Sequence, residues 1–263
     1  MWSASAVLTR WLVDHAETLG LAGSSVVELG SGTGAVGIAA AALGASTVVL
    51  SDGGSQSLIR LAKDNAAKNI RAGAIDGEVT AVHTVQYAWG KGPLPRVMAA
   101  AAPYDLVVGS DCTYSVGGHG ALCDSIAELL AHSARVAEEL ADAGERDERD
   151  AAGRGGTSRH PSRHPTGAGG SPRVILGHQH RTLAAALAGR GSAGWGRDPH
   201  LAMFAAAAKS RGLVVTELLT ESLAWHGLRN VSVLEVSLEP RDVQERQKEE
   251  GSGREENAIP PRT

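Results

Sequence analysis

The chain has little cysteine, no long apolar run and no signal for export. Its 263 residues include only two cysteines, Cys112 and Cys123, which are too few for a disulfide scaffold and lack the paired spacing of a zinc site. No window approaches the ~18 consecutive apolar residues of a membrane span, and the first residues lack the basic and apolar parts of a signal peptide. We expect a soluble protein of a reducing compartment, in the cytoplasm with the nucleus as the alternative.

The chain also lacks an excess of basic residues. It has 25 Lys and Arg against 29 Asp and Glu, which gives a formal net charge of −4. A protein that binds nucleic acid over a broad surface carries a basic excess, because the phosphate backbone supplies most of the attraction. We therefore expect no nucleic-acid partner and no membrane contact, and we expect a monomer.

Two stretches lack the residues that build a core. Residues 141–172 contain no Val, Ile, Leu, Met, Cys or aromatic side chain, and residues 241–263 are dense in charge. Burial cannot offset the entropy of ordering such segments. We predict one domain over residues 1–240, interrupted by a disordered insertion at 141–172 and followed by a disordered charged tail at 241–263.

The rest of the chain alternates strand and helix signals. Runs typical of strands occur at 25–29, 47–51, 104–110, 174–177, 213–219 and 231–238, and a weaker strand signal occurs near 79–85. Segments with helical periodicity occur at 4–19, 34–43, 55–69, 120–140 and 200–211. This alternation predicts an α/β fold with an open, mostly parallel sheet of seven strands and helices on both faces. Since no helix separates the last two strands, we expect the final strand to be antiparallel.

A glycine-rich turn follows the first predicted strand. Residues 26–37 read Val-Val-Glu-Leu-Gly-Ser-Gly-Thr-Gly-Ala-Val-Gly, in which the alternate glycines let a ligand lie against bare backbone at the end of the strand. The turn also satisfies the dinucleotide pattern G-x-G-x-x-G, with Asp52 about 20 residues further on. Glycine spacing therefore predicts a nucleotide-like cofactor without deciding which one.

Two carboxylates at the ends of strands favour S-adenosylmethionine. Glu28 lies in a strand expected to be buried, where an unpaired carboxylate is costly, so it needs a cationic partner. S-adenosylmethionine carries an amino group and a sulfonium, whereas a dinucleotide would place a pyrophosphate at this turn. Asp52 can accept hydrogen bonds from ribose hydroxyls. The alternatives are that Glu28 pairs with a Lys or Arg of the protein and that Asp52 caps the next helix.

Several further motifs resemble one known family. Trp2-Ser-Ala-Ser, Glu28 to Gly34, Asp52, Asp64-Asn65, Trp89-Gly90 and Ser110-Asp-Cys-Thr-Tyr114 occur in the order found in methyltransferase family 16. These are the seven-strand, Rossmann-like protein-lysine methyltransferases. The resemblance covers about residues 2–238 outside the insertion. It implies an S-adenosylmethionine-dependent enzyme that methylates a lysine of a protein substrate.

The resemblance also implies which residues form the site. Asp111 and Tyr114 would line the methyl-transfer site, and Trp89 would lie beside the adenine. The residues implied to bind the cofactor are Trp2, Glu28, Gly30, Ser31, Gly32, Thr33, Gly34, Asp52, Trp89 and Ser110. Asp111 would orient the amine, because an ordinary aspartate is a weak base for an ammonium. Two other functions stay open, a small-molecule methyltransferase and a non-catalytic partner protein that binds S-adenosylmethionine.

Other reactive residues near these motifs are predicted to be structural. Cys112 has no histidine tied to it by a known nucleophile motif, so we expect a buried thiol. His178 and His180 lie on one side of a strand, but the sequence identifies no third metal ligand, and we expect no metal. The segment from His178 to Arg181 is predicted to form a pocket wall at most.

Overall fold

The computed structural model of the protein describes residues 3–153, 172–181, 198–223 and 229–239, and within these ranges seven strands form one sheet. The strands are β1 (Ser25–Leu29), β2 (Thr47–Asp52), β3 (Ala81–Gln86), β4 (Leu106–Ser110), β5 (Arg173–Gln179), β6 (Leu213–Leu223) and β7 (Arg229–Leu238). Their spatial order is β3-β2-β1-β4-β5-β7-β6. β1 to β5 are parallel, and β7 is antiparallel to both of its neighbours. The predicted open, mostly parallel sheet with an antiparallel final strand is confirmed.

Helices cover both faces of the sheet. Those in the described ranges are α1 (Ser3–Asp14), α2 (Ala35–Ala42), α3 (Gln56–Arg71), α4 (Arg96–Ala100), α5 (His119–Gly153) and α6 (Pro199–Lys209). None of them combines the length and the apolar character needed to cross a bilayer.

Two apolar layers enclose the central strands. All five residues of β1 are buried, and its successive side chains enter different layers. Val26 packs in the layer that contains α1, α2 and part of α3, whereas Val27 packs in the layer that contains α4, α5 and α6. A strand covered on both faces reads as a continuous apolar run, which explains why the sequence signal for β1 is strong.

Helix α5 is longer than predicted. It continues to Gly153, so its last residues lie in the stretch at 141–172 for which we expected disorder. This part needs no burial to be helical, because Ala, Glu and Arg have high helix propensity and Asp142 and Arg146 form an exposed i,i+4 ion pair. Residues 154–171 and the predicted tail lie outside the described residues.

Candidate functional site

A cavity of about 870 Å³ opens at the carboxyl edge of the parallel strands. The chain segments that follow β1, β2, β3, β4 and β5 all contribute to its wall. Open α/β sheets bind ligands at this edge, and the volume lies in the range of small-molecule sites. The predicted site residues that line the cavity are Gly30, Ser31, Gly32, Thr33, Asp52, Trp89, Ser110, Asp111 and Tyr114.

The glycine turn brings bare backbone to the cavity. Gly30 and Gly32 have φ angles of 67° and 55°, in the left-handed region that favours glycine. A Cβ at Gly30 would lie 2.9 Å from Cζ2 of Trp89, so the indole packs directly against this turn. A Cβ at Gly32 would meet no atom within 4 Å, so a side chain there would extend into the cavity. The Ser31 hydroxyl is buried in the cavity wall and has no hydrogen-bond partner among the described residues.

Asp52 joins the glycine turn to the turn after β2. Its Oδ2 accepts a hydrogen bond of 2.8 Å from the Gly32 N–H, and its Oδ1 accepts one of 2.7 Å from the Gly54 N–H. Each carboxylate oxygen has a second lone pair, so Asp52 can still accept hydrogen bonds from a ligand. The alternative role as a helix cap is not observed, because Ser55 occupies the N-cap position of α3.

Glu28 does not line the cavity. Its side chain is 1% exposed, and Oε2 accepts a hydrogen bond of 2.8 Å from the Gly37 N–H in the first turn of α2. The partner is therefore the amino end of a helix, and the expected cationic partner is not found among the described residues. Burial raises the pKa of Glu28 to about 8, and the Gly37 hydrogen bond offsets only part of this effect. A carboxyl group that is mostly protonated at neutral pH does not need a cation.

We predict that Glu28→Gln changes how stability depends on pH. The folded-state pKa of about 8 lies above the ordinary value of 4.5, so the contribution of the protonated carboxyl to stability is complete below pH 4.5 and is lost as the pH rises to 8. The wild-type free energy of unfolding should fall relative to that of the Gln variant, by at most about 1.4 kcal/mol per pH unit. Urea unfolding of both proteins across this pH range measures the effect. Parallel pH profiles would contradict the prediction.

Three other predicted cofactor residues differ in their placement. Gly34 does not line the cavity, and a Cβ at this position would lie 2.9 Å from Cδ1 of Leu50. Ser110 lines the cavity, and its hydroxyl is 2.7 Å from that of Ser5 in α1. Trp2 lies outside the described residues. The residues predicted to bind the cofactor thus divide into those that line the cavity and can contact a ligand and those that support the glycine turn.

Asp111 has an unusual backbone conformation at the end of β4. Its φ angle of 55° makes it the non-glycine residue with positive φ in the described part of the chain. Such a conformation is strained in an L-residue and is mostly tolerated by Asn and Asp. The Asp111 N–H donates a hydrogen bond of 2.8 Å to the Gly177 carbonyl of β5, which holds the turn to the neighbouring strand. The carboxylate is buried, while the nearby Tyr114 side chain is 55% exposed.

The partner of Asp111 is Arg181, which the sequence placed only in a pocket wall. Nη2 of Arg181 donates hydrogen bonds of 2.7 and 2.5 Å to the two carboxylate oxygens. The guanidinium carbon lies 5.5 Å from the centre of the Tyr114 ring, within the range of a cation–π contact. Arg181 lines the same cavity. Only its position shortly after a predicted strand signalled this role.

A buried polar cluster supports the chain behind Asp111 and Tyr114. Thr113 is hydrogen-bonded to Nδ1 of His178 at 2.5 Å, and His178 and His180 both contact Oδ2 of Asp198, at 3.0 and 2.8 Å. Although burial alone would raise it, the hydrogen bonds from both histidines hold the pKa of Asp198 well below its usual range. Burial lowers the pKa of His178. The sequence did not identify Asp198 as the third residue of this cluster. The atoms with which His178, His180 and Asp198 face one another are all engaged in hydrogen bonds.

Cys112 is a buried thiol, although part of it borders the cavity. Its Sγ donates a hydrogen bond of 3.1 Å to the Leu29 carbonyl. Burial, with nearby carboxylates, raises the pKa of Cys112 well above its usual range. The thiol therefore stays protonated and is a poor nucleophile, in agreement with a structural role.

Comparisons with known proteins point to one family. A sequence profile of the family described as lysine methyltransferase matches residues 1–150. The chain is 30% identical over 139 residues to a protein N-terminal and lysine N-methyltransferase of Emericella nidulans, covering 49% of this chain and 51% of that protein. It is 32% identical over 149 residues to a protein N-lysine methyltransferase of Danio rerio, covering 57% and 63%.

The similarity to known proteins covers only part of the chain. The chain spans about half the length of the first curated relatives that it matches. The profile match contains the glycine turn, Asp52, Trp89, Asp111 and Tyr114, and it ends before β5. Arg181 and the cluster around Asp198 therefore lie beyond the profile match.

Proposed function

Since the chain belongs to the lysine methyltransferase family, we propose that it transfers a methyl group from S-adenosylmethionine to a lysine side chain of a protein. The observation that carries this proposal is that one cavity joins the glycine turn to the pair formed by Asp111 and Tyr114. The turn offers backbone to a nucleoside, and the pair offers a carboxylate and an aromatic face to an amine. A donor and an acceptor can thus meet in the same cavity.

Three features of the cavity fit S-adenosylmethionine. Gly32 leaves room for close approach to backbone, the buried Ser31 hydroxyl has no hydrogen-bond partner among the described residues, and Asp52 has lone pairs for ribose hydroxyls. Trp89, which packs against Gly30, would hold the adenine. When bound, the cofactor supplies a methyl group that the positive charge on sulfur makes electrophilic.

Asp111 and Tyr114 would position the acceptor amine. A lysine ammonium has an ordinary pKa of about 10.4, so its deprotonation at pH 7 costs roughly 4 to 5 kcal/mol before the lone pair can attack. Desolvation within the cavity lowers that cost. Asp111 would accept a hydrogen bond from the amine and fix its direction, and the Tyr114 ring would wall the site. Orientation of this kind can supply about 7 to 11 kcal/mol of the barrier.

Labelling of cell extract tests the proposed reaction. The full chain is incubated with extract and methyl-labelled S-adenosylmethionine, and label should enter protein, on lysine residues identified by peptide mass spectrometry. Label on protein N-termini would change the acceptor to an α-amine, the second acceptor in the name of the Emericella relative. Label confined to small molecules would support a small-molecule methyltransferase. Cofactor binding without any labelling would support a non-catalytic partner protein.

The proposal also includes location and assembly. Cys112 and Cys123 are both buried free thiols, which supports a reducing compartment, and we propose the cytoplasm with the nucleus as the alternative. We propose a monomer whose partner is the substrate protein rather than nucleic acid. Imaging of a fluorescent fusion and light scattering of the purified chain test these two points.

A further inference from the structure

Arg181 lies where the proposed function puts the acceptor amine. Its guanidinium is held by both oxygens of Asp111 and lies over the face of Tyr114. A carboxylate and an aromatic face are also the two groups that recognise an alkylammonium ion. An internal cation therefore makes the contacts that an acceptor would need.

The fold fixes one partner of this ion pair and leaves the other able to move. Asp111 is anchored by its backbone bond to Gly177, and its side chain is 7% exposed. The Arg181 side chain is 33% exposed, so its charged end can leave the carboxylate and be hydrated. Asp111 is held in the cavity wall, so when Arg181 leaves, its carboxylate loses its counter-charge.

We infer that Arg181 is a specificity-determining residue that fills the acceptor subsite until a primary ammonium group displaces it, an inference that rests on the proposed function. The exchange replaces one cation by another, so Asp111 remains paired while the acceptor binds as an ammonium ion, before that ion loses its proton and reacts. A neutral acceptor, such as an alcohol, would leave a buried carboxylate without a counter-charge, which is strongly unfavourable.

Steady-state kinetics with the protein acceptor found by labelling gives the first test. Arg181→Ala should lower the KM for the acceptor by about 5- to 20-fold, because the fraction of molecules with an open subsite rises, while kcat changes by less than about twofold. Arg181→Lys keeps a cation but loses the planar guanidinium that lies over the Tyr114 ring, and its KM should lie between those of the wild type and Arg181→Ala. Arg173→Ala is the matched control, since Arg173 pairs with Glu235 at the other end of β5. An unchanged or higher KM in Arg181→Ala would overturn the inference.

Binding of a small guanidinium ion gives a second test that does not depend on activity. Ethylguanidinium should bind Arg181→Ala and shift the amide NMR signals of residues 111–114, and it should bind neither the wild type nor the double variant R181A/D111N. The absence of binding to Arg181→Ala would refute an open subsite. Binding to Arg181→Ala without methylation of any extract protein would refute the proposed function and retain the subsite. Methylation of an extract protein together with an unchanged KM in Arg181→Ala would refute the subsite and retain the proposed function.

Discussion

Replacing Asp111 by Asn is expected to reduce methyl transfer about 100-fold, the effect of losing roughly 3 kcal/mol of electrostatic stabilisation at the acceptor. Asn has nearly the same size and tolerates the φ angle of 55° that Asp111 adopts, so the fold should be retained. The charge that holds the amine is lost. Affinity for S-adenosylmethionine should change by less than about twofold, because Asp52 and the glycine turn are untouched. Single-turnover rates and calorimetric dissociation constants measure the two quantities separately.

Two further variants sharpen this prediction. Asp124→Asn is the matched control, because Asp124 also forms an ion pair with an arginine, Arg211, outside the cavity. It should leave the transfer rate unchanged. Tyr114→Phe should have a milder effect than Asp111→Asn, since the aromatic ring remains. An equal loss of rate and cofactor affinity in Asp111→Asn would mean that the carboxylate supports the cofactor loop instead of the amine.

The central strands of the sheet could be predicted because they are buried on both faces. β1 and β4 read as short apolar runs, and β1 has a predicted helical segment before and after it, which is the pattern of a parallel sheet. The end of α5 could not be predicted in the same way. Apolar periodicity reports packing, and the continuation of α5 toward Gly153 depends on helix propensity and local charge pairs instead.

The position of the cavity could be predicted as well, but the partners of its carboxylates could not. The ends of adjacent parallel strands meet at one edge, so the residues after β1, β2 and β4 were expected there. The partner of Glu28 is the backbone of α2, and the partner of Asp111 is an arginine 70 positions away. A lone acidic residue in a sequence shows that a partner is needed, but only the packing of other elements decides which group supplies it.

The same limit applies to the buried cluster behind the acceptor subsite. His178 and His180 were recognised as neighbours on one side of β5, because alternate residues of a strand face the same way. Their common partner, Asp198, is 18 residues beyond His180 and is the N-cap of α6, where its Oδ1 accepts hydrogen bonds from the N–H groups of His200 and Leu201. An aspartate before a proline and a helical segment reads as a cap. Its second role is set by the packing of α6 against the sheet.

Replacing Gly32 by Asn is expected to weaken binding of S-adenosylmethionine by about 100-fold or more, which corresponds to at least about 2.7 kcal/mol. A Cβ at this position meets no protein atom within 4 Å, so the new side chain occupies cavity space without disturbing the fold. Asn is chosen because it tolerates the φ angle of 55°, whereas a β-branched residue would add backbone strain. The Gly32 N–H that donates to Asp52 is retained.

Gly20→Asn separates the loss of cavity space from backbone strain. Gly20 has a φ angle of 60°, and a Cβ there would also meet no atom within 4 Å, but it lies in the turn before β1 and away from the cavity. The two variants should have similar melting temperatures, and Gly20→Asn should bind S-adenosylmethionine as the wild type does. If Gly32→Asn binds equally well, the cofactor does not lie against this turn. If the wild type binds NAD and ignores S-adenosylmethionine, the dinucleotide interpretation of the glycine pattern is correct and the proposed reaction fails, because the turn would then hold a pyrophosphate and no methyl donor would face Asp111.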